Sequence, residues 1–389
     1  MNDKIKLKDA CKILNGFAFK SSKYVDSGIR IIRITNVQKG YVEDERPAFY
    51  PNSEESTIRD YMLEENDLLL SLTGNVGRVA LLDKRWLPAA LNQRVACLRI
   101  KGDRIIKYYL YFALLSDKFE NDCIKSSKGI AQKNMSTEWL KDYEIPLPSV
   151  QKQREIVSLL KQLSMIIKNK IEQIQQLDDL IKARFVEMFG DLDLAPQNKG
   201  WTKILDIGEV VSGSTPKTSI KEYWNGNICW ITPAELSNMS GIIYDSKKKI
   251  TERGKSSCSL RVMPSRTVIL SSRAPIGKVA LLGKEMCCNQ GFKNIICNEK
   301  VAPEYLYYLL GYNTIFLNSL GRGATFKEIS KKIVEEIKVP LPSKELQSQF
   351  AFFTRQVDKS KFTLSNKLAM CNFYVRLVYD RIMHGRIDL

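Results

Sequence analysis

A chain of 389 residues, 44% hydrophobic and 26% charged, is long enough for two or three globular domains and too apolar to be disordered. Sixty Lys and Arg against 43 Asp and Glu leave a formal charge of +17, the balance expected of a protein that meets a polyanion such as nucleic acid. No apolar run reaches the roughly 18 residues of a membrane span, MNDKIKLKDACKIL lacks the apolar centre of a signal peptide, and nine scattered cysteines without a C-x-x-C pair exclude a disulfide framework or zinc site, so a reduced, cytoplasmic protein away from membranes is expected.

In chain order, β-rich runs at Ile29–Val37, Asp67–Leu72 and Val95–Ile100 are followed by an apolar helical stretch, Tyr108–Cys123. Pro146-Leu147-Pro148-Ser149 then forbids helix before it and offers a serine N-cap after it. From there Ile156, Leu160, Leu163, Ile167, Ile174, Leu177, Ile181 and Met188 recur at steps of three and four, with Lys170 in one seam position. The spacing predicts a coiled-coil helix over 151–189, ended by Gly190 and about 58 Å long at ~1.5 Å per residue.

The same order then repeats. Strand-like runs at Ile228–Ile231, Thr267–Ser271 and Asn294–Cys297 precede a helical stretch, Glu304–Leu320, a second Pro340-Leu341-Pro342-Ser343, and a second seam. That seam is Leu346, Phe350, Phe353, Val357, Leu364, Leu368, Cys371, Val375, Val378 and Ile382, ending at Gly385. Four anchors keep one order in both copies: Asn15-Gly16 with Ser212-Gly213, Leu70-Ser71 through Leu82 with Leu270-Ser271 through Leu282, Asn92-Gln93 with Asn289-Gln290, and the proline signal followed by Gln153 or Gln347. The chain is therefore two copies of one unit. Its expected class is α+β: two similar mixed globules, 1–149 and 191–342, separated by spacer helices at 150–190 and 343–389. The helices should pair antiparallel, giving a tandem repeat with pseudo-two-fold character.

Catalysis finds little support. His384 is the only histidine, which leaves most nucleophile–histidine pairs and His-rich metal sites without an imidazole. A phosphate-binding G-x-x-x-x-G-K-[ST] loop, a G-x-G-x-x-G and a Pro-Pro of the amino-methyltransferase type are absent, and no proline precedes an aspartate as at a restriction-nuclease carboxylate cluster. The densest basic stretch is Lys247–Lys284, with ten basic residues against Glu252. A duplicated basic protein suits two half-sites on duplex DNA.

The duplicated proline signals, Gly213-x-Thr215-Pro216 with Trp230-Ile231-Thr232-Pro233, and the S-x-x-x-x-x-G-[RK]-V-A segments with downstream Asn-Gln resemble the specificity subunit of a Type I restriction-modification system over essentially the full chain. The resemblance implies two target recognition domains, each reading one half of a bipartite double-stranded DNA site, and helices that dock two methyltransferase subunits. It also implies motor-nuclease subunits. S-adenosylmethionine, ATP and Mg2+ would sit on those partners and none on this chain, itself non-catalytic. The first copy departs from the family at Gly16-Phe17-Ala18-Phe19.

Side chains able to make paired hydrogen bonds read base edges, whereas Lys, Arg, Ser and Thr meet phosphates. The candidates in the first globule are Arg33, Asn36, Thr73, Asn75, Arg78, Lys128, Gln132, Lys133 and Asn134. In the second they are Thr215, Lys217, Arg273, Lys278, Lys293, Arg322, Thr325 and Lys327. Asn92-Gln93 and Asn289-Gln290 are either readers or holders of their own turns. Two other functions stay open on sequence alone: a self-sufficient DNA-modifying enzyme, which turnover by the pure chain would reveal, and a coiled-coil adaptor, which would not bind duplex.

Overall fold

A computed structural model describes residues 3–127, 134–258, 260–273, 275–323 and 327–386. The chain divides into two compact units, Met1–Glu172 with Ser365–Leu389, and Gln173–Leu364.

The first unit is built on a four-stranded antiparallel sheet in the order Cys11–Asn15, Val95–Ile100, Leu68–Ser71, Val79–Leu81. Leu68-Leu69-Leu70 is apolar throughout because both faces of this sheet are covered. Leu68 and Leu70 face helices Lys107–Leu114 and Asp117–Ser126, while Leu69 faces a smaller sheet of Phe49–Tyr50, Ile29–Ile32 and Ala89–Leu91. A two-stranded pair, Lys4–Lys6 with Glu144–Pro146, closes the globule beside the first proline signal.

The second unit repeats this plan. Gly208–Ser212, Phe292–Cys297, Val268–Ser271 and Val279–Leu282 form the same sheet, with Met239–Ile243 added in parallel at one edge. Val268 and Leu270 face helix Pro303–Tyr312, and Ile269 faces the sheet of Lys248–Ile250, Trp224–Ile231 and Cys287–Cys288. Thr202–Lys203 pairs with Lys338–Val339 as the counterpart of the closing pair.

Both long helices are present, Val150–Phe189 and Lys344–Met383, and Gly190 and Gly385 follow them at positive φ, where glycine carries no Cβ penalty. Within the first unit Ile156 and Leu160 share a core with Val378, Ile382 and Met383; within the second, Ile181 and Phe185 share one with Phe350 and Val357. The start of one helix thus meets the end of the other in each unit, so they run antiparallel. Leu346 departs from the expected seam: it is exposed, and the side chain turned inward there is Gln347.

Each expected core helix is two helices. Ser116 breaks the first by accepting the Phe119 N–H as an N-cap at 3.2 Å. Asn313 breaks the second, where its buried amide accepts the Leu194 N–H and donates to the carbonyls of Leu192 and Leu309. The expected strand from Ile29 stops at Ile32 because the chain turns over Arg33–Asn36.

Candidate nucleic-acid interface

The repeated motifs build a frame. Ser71 lies fully buried, accepts the Arg78 N–H at 3.0 Å and donates to the Asn75 carbonyl; Ser271 accepts the Lys278 N–H at 2.8 Å and donates to the Pro275 carbonyl at 2.9 Å. One hydroxyl therefore ties each loop between the adjacent strands Leu68–Ser71 and Val79–Leu81, or Val268–Ser271 and Val279–Leu282, and Gly77 and Gly277 complete it at φ +82° and +94°. Asn92 Oδ1 accepts the Arg94 N–H and Asn289 Oδ1 the Gly291 N–H, so both asparagines hold turns. Gly16 and Gly213 pass so close to these turns that a Cβ would lie 2.2 Å from the Asn92 carbonyl or 2.1 Å from that of Asn289. The frame also explains the loop that departs in the first copy. Thr215 accepts from Asn289 Nδ2 at 2.8 Å, whereas Phe17 and Phe19 pack on Tyr61 and Tyr50 instead.

On this frame two loops meet side by side. In the first unit Thr73 bridges Asn134, the Met135 N–H reaches the Leu72 carbonyl, and Thr73 Oγ1 donates to Asn134 Oδ1 at 3.0 Å. Asn75 is exposed beside them. In the second unit Arg273 bridges Glu328, and the Ile329 N–H reaches the Ser272 carbonyl. Arg322 exchanges backbone hydrogen bonds with Glu328, and Lys327 is exposed next to it. Lys217, also exposed, uses its carbonyl to accept from the Trp224 indole. Lys128, Gln132, Lys133 and Thr325 lie outside the described residues.

Other expected readers have interior duties. Asn36 is 3% exposed; its oxygen accepts the Arg33 N–H and its amide donates to the Glu43 carbonyl and Asp44, which leaves nothing to offer a base. Arg33 donates to the Arg46 carbonyl and buries its Nε, so it shapes the same loop. Arg78 donates to Gln38, and Lys278 donates to the carbonyls of Pro233 and Leu236. Lys293 is buried between Ser272 Oγ at 3.3 Å and Glu328 at 3.4 Å. Burial pulls its ammonium pKa below the ordinary lysine value, against the opposing attraction of Glu328.

Glu328 is the residue that sequence reasoning missed. It gathers Arg273 and Lys293, and its only sequence signal is that it stands 194 positions after Asn134, the offset of the proline signals. The basic stretch Lys247–Lys284 also reads differently in three dimensions. Arg253 pairs with Glu222, Arg261 with Glu209, Arg266 with Glu304, Arg273 with Glu328, Lys255 with Glu252, and Lys249 and Lys284 with Asp245. Its cations are mostly matched by acids from elsewhere in the chain, so the run is not a continuous phosphate-binding face. Among the described residues there is no cluster of His, Cys, Asp and Glu that could hold a metal ion, and no helix long and apolar enough to cross a membrane.

A duplicated frame with variable loops defines a class of DNA sequence-recognition proteins, and the model of the Type I restriction modification DNA specificity domain matches residues 2–176 and again 198–369. The chain belongs to this family. It is 44% identical over 177 residues to the Type I restriction enzyme MjaIX specificity subunit of Methanocaldococcus jannaschii, a match spanning 44% of this chain and 41% of that one. A second relative from the same organism, the MjaX specificity subunit, is 25% identical over 90% of this chain and 85% of its own. In fold the chain is similar to the S subunit of a Type I restriction-modification system from M. genitalium, with TM-score 0.59, 15% identity, and coverage of 98% of this chain and 96% of that one.

Proposed function

We propose that this chain reads a bipartite duplex DNA site for a Type I restriction-modification complex, one half-site per globule, while its long helices dock methyltransferase subunits. Methyl transfer from S-adenosylmethionine belongs to those subunits, and ATP- and Mg2+-dependent cleavage to motor-nuclease subunits. The observation that carries this reading is the pair of loops set on one repeated frame: Ser71 and Ser271 hold matching turns, yet the residues that meet where the loops touch are a buried Thr73 with an exposed Asn134 in one copy and Arg273 with Glu328 in the other. Shared scaffold with divergent polar tips is what two readers of different sequences require. Exposed Met165, Ile171, Phe362, Met370 and Phe373 on the long helices supply apolar surface suited to protein partners.

The test is to reconstitute the complex with its methyltransferase subunits and map methylated sites before and after exchanging residues 191–342 for those of a relative. One half of the recognised sequence should change and the other persist. A change in both halves, or in neither, rejects the modular reading.

A further inference from the structure

The reading loop of the second globule carries a relay of charges that has no counterpart in the first. Arg273 Nε donates to Glu328 Oε2 at 3.0 Å, and Glu328 Oε1 meets the Lys293 ammonium at 3.4 Å. Lys293 is anchored on Ser272 Oγ and is only 8% exposed, whereas Arg273 is half exposed. In the first globule the equivalent backbone positions hold Thr73, Asn134 and Ala96: Thr73 bridges Asn134 as Arg273 bridges Glu328, and Leu70 pairs with Ala96 as Leu270 pairs with Lys293. All three positions change together while the frame beneath them does not.

The geometry fixes what the arginine can still do. With Nε committed to Glu328, its two terminal nitrogens have no partner among the described residues, and the guanidinium plane is set by the carboxylate. An arginine held in this way presents two parallel N–H donors end-on, the pattern that matches guanine O6 and N7 in the major groove. A phosphate contact would need no such orientation. The buried Lys293 fixes Glu328 from behind, and exposed Arg322 and Lys327 flank the loop where the DNA backbone would run.

Building on the DNA-reading function above, we infer that Arg273 recognises a guanine in the half-site of the second globule, and that Glu328, itself fixed by Lys293, is the positioning residue that makes the arginine selective. In the reconstituted complex, duplexes with one base pair changed at a time should show a guanine requirement at one position of the second half-site. R273K keeps the charge but lacks the fork, so binding should persist while preference at that position falls about 10- to 100-fold, the scale of a bidentate contact. E328Q should relax the same position to a smaller extent and leave the first half-site unchanged, while losing the carboxylate that faces the buried Lys293 should also lower the unfolding temperature. A merely structural Glu328 would instead weaken binding to every duplex alike. The inference is overturned if R273K retains the wild-type base preference, or if the variants lower affinity uniformly. If the wild-type complex discriminates no base in either half-site, the DNA-reading function falls with it; discrimination that survives R273K removes this inference alone.

Discussion

The side-chain oxygen of Gln347 accepts the backbone N–H of Ala302 at 2.7 Å, across 45 residues of chain. Ala302 is the N-cap of helix Pro303–Tyr312, and the long helix supplies the acceptor for its backbone N–H, a donor that would otherwise be left open at the helix start. The Gln347 amide meanwhile donates to the carbonyls of Lys300 and Pro342. Gln153 repeats the arrangement on Ile106, Arg104 and Pro148. Tyr109 and Tyr305 add matching bonds to Pro146 and Pro340. Each glutamine thus staples a spacer helix to its globule.

Q347A leaves a buried N–H and two carbonyls without partners, and should lower unfolding stability by about 1–3 kcal/mol for each group left unsatisfied. Glutamate at the same position should do no better, because it loses the donor and faces two carbonyls. Urea unfolding of both variants checks this, and a destabilisation below about 0.5 kcal/mol, the low end for a net hydrogen bond, would show that water replaces the staple.

S271A removes the hydroxyl that ties the loop carrying Arg273, and S71A removes its twin beneath Thr73. Each should cost about 1–2 kcal/mol of stability and weaken binding to the DNA half-site of its own globule only. Duplex binding with each half-site scrambled in turn separates the two effects; equal weakening at both halves would contradict local control of the loops.

How much of this was legible beforehand follows a physical line. The offsets between copies and the glycines at 190 and 385 marked the long helices correctly, because caps and seams are local signals. Leu346 misled because the seam period says nothing about where the globule covers the helix, and Gln347 takes the inward place there to satisfy a distant backbone group. Asn36 looked like a reader because an exposed and a turn-forming asparagine are identical in sequence. Glu328 was invisible since its partner Arg273 lies 55 residues away and only folding brings them together.

Removing an exposed cation that meets phosphate should flatten the salt dependence of binding. For K327A and K217A the log–log slope should fall in magnitude by about 0.9 for each phosphate that is no longer neutralised. Asn36→Ala, in contrast, should leave the slope unchanged and lower stability, since its side chain is spent inside the fold. Titrations at several salt concentrations decide between these roles.

Thiol reactivity should follow burial. Burial pushes the Cys287 thiol up to about 11 and the thiols of Cys11 and Cys297 to about 12, so little thiolate exists near pH 8. Cys258, Cys297 and Cys371 are half-buried, whereas Cys11 and Cys287 are buried. Iodoacetamide at pH 8 should label Cys258 and Cys371 first, and Cys11 and Cys287 only after unfolding; mass spectrometry that finds Cys287 labelled as fast as Cys371 would refute the packing described.

Asp358 on the second long helix has its carboxyl pKa raised, first by burial and then by Asp178 and Glu304, with Lys361 opposing. A carboxyl whose folded pKa lies above its unfolded value destabilises the fold once it is ionised, and the penalty vanishes at acid pH where both states are protonated. D358N should therefore raise the melting temperature at pH 7 and lose its advantage below the ordinary aspartate pKa. An equal gain at all pH values would point to packing instead.

The acids that match the basic run Lys247–Lys284 come from as far away as Glu209 and Glu328, so the neutralisation exists only in the folded chain. A ribosome emitting this segment releases Arg266 and Arg273 before their partners Glu304 and Glu328 have been synthesised, and its other cations before folding brings their acids to them. Nascent or misfolded chain should therefore cling to RNA and DNA indiscriminately, and nucleic acid that co-purifies with the protein is a gauge of how much of it has failed to fold.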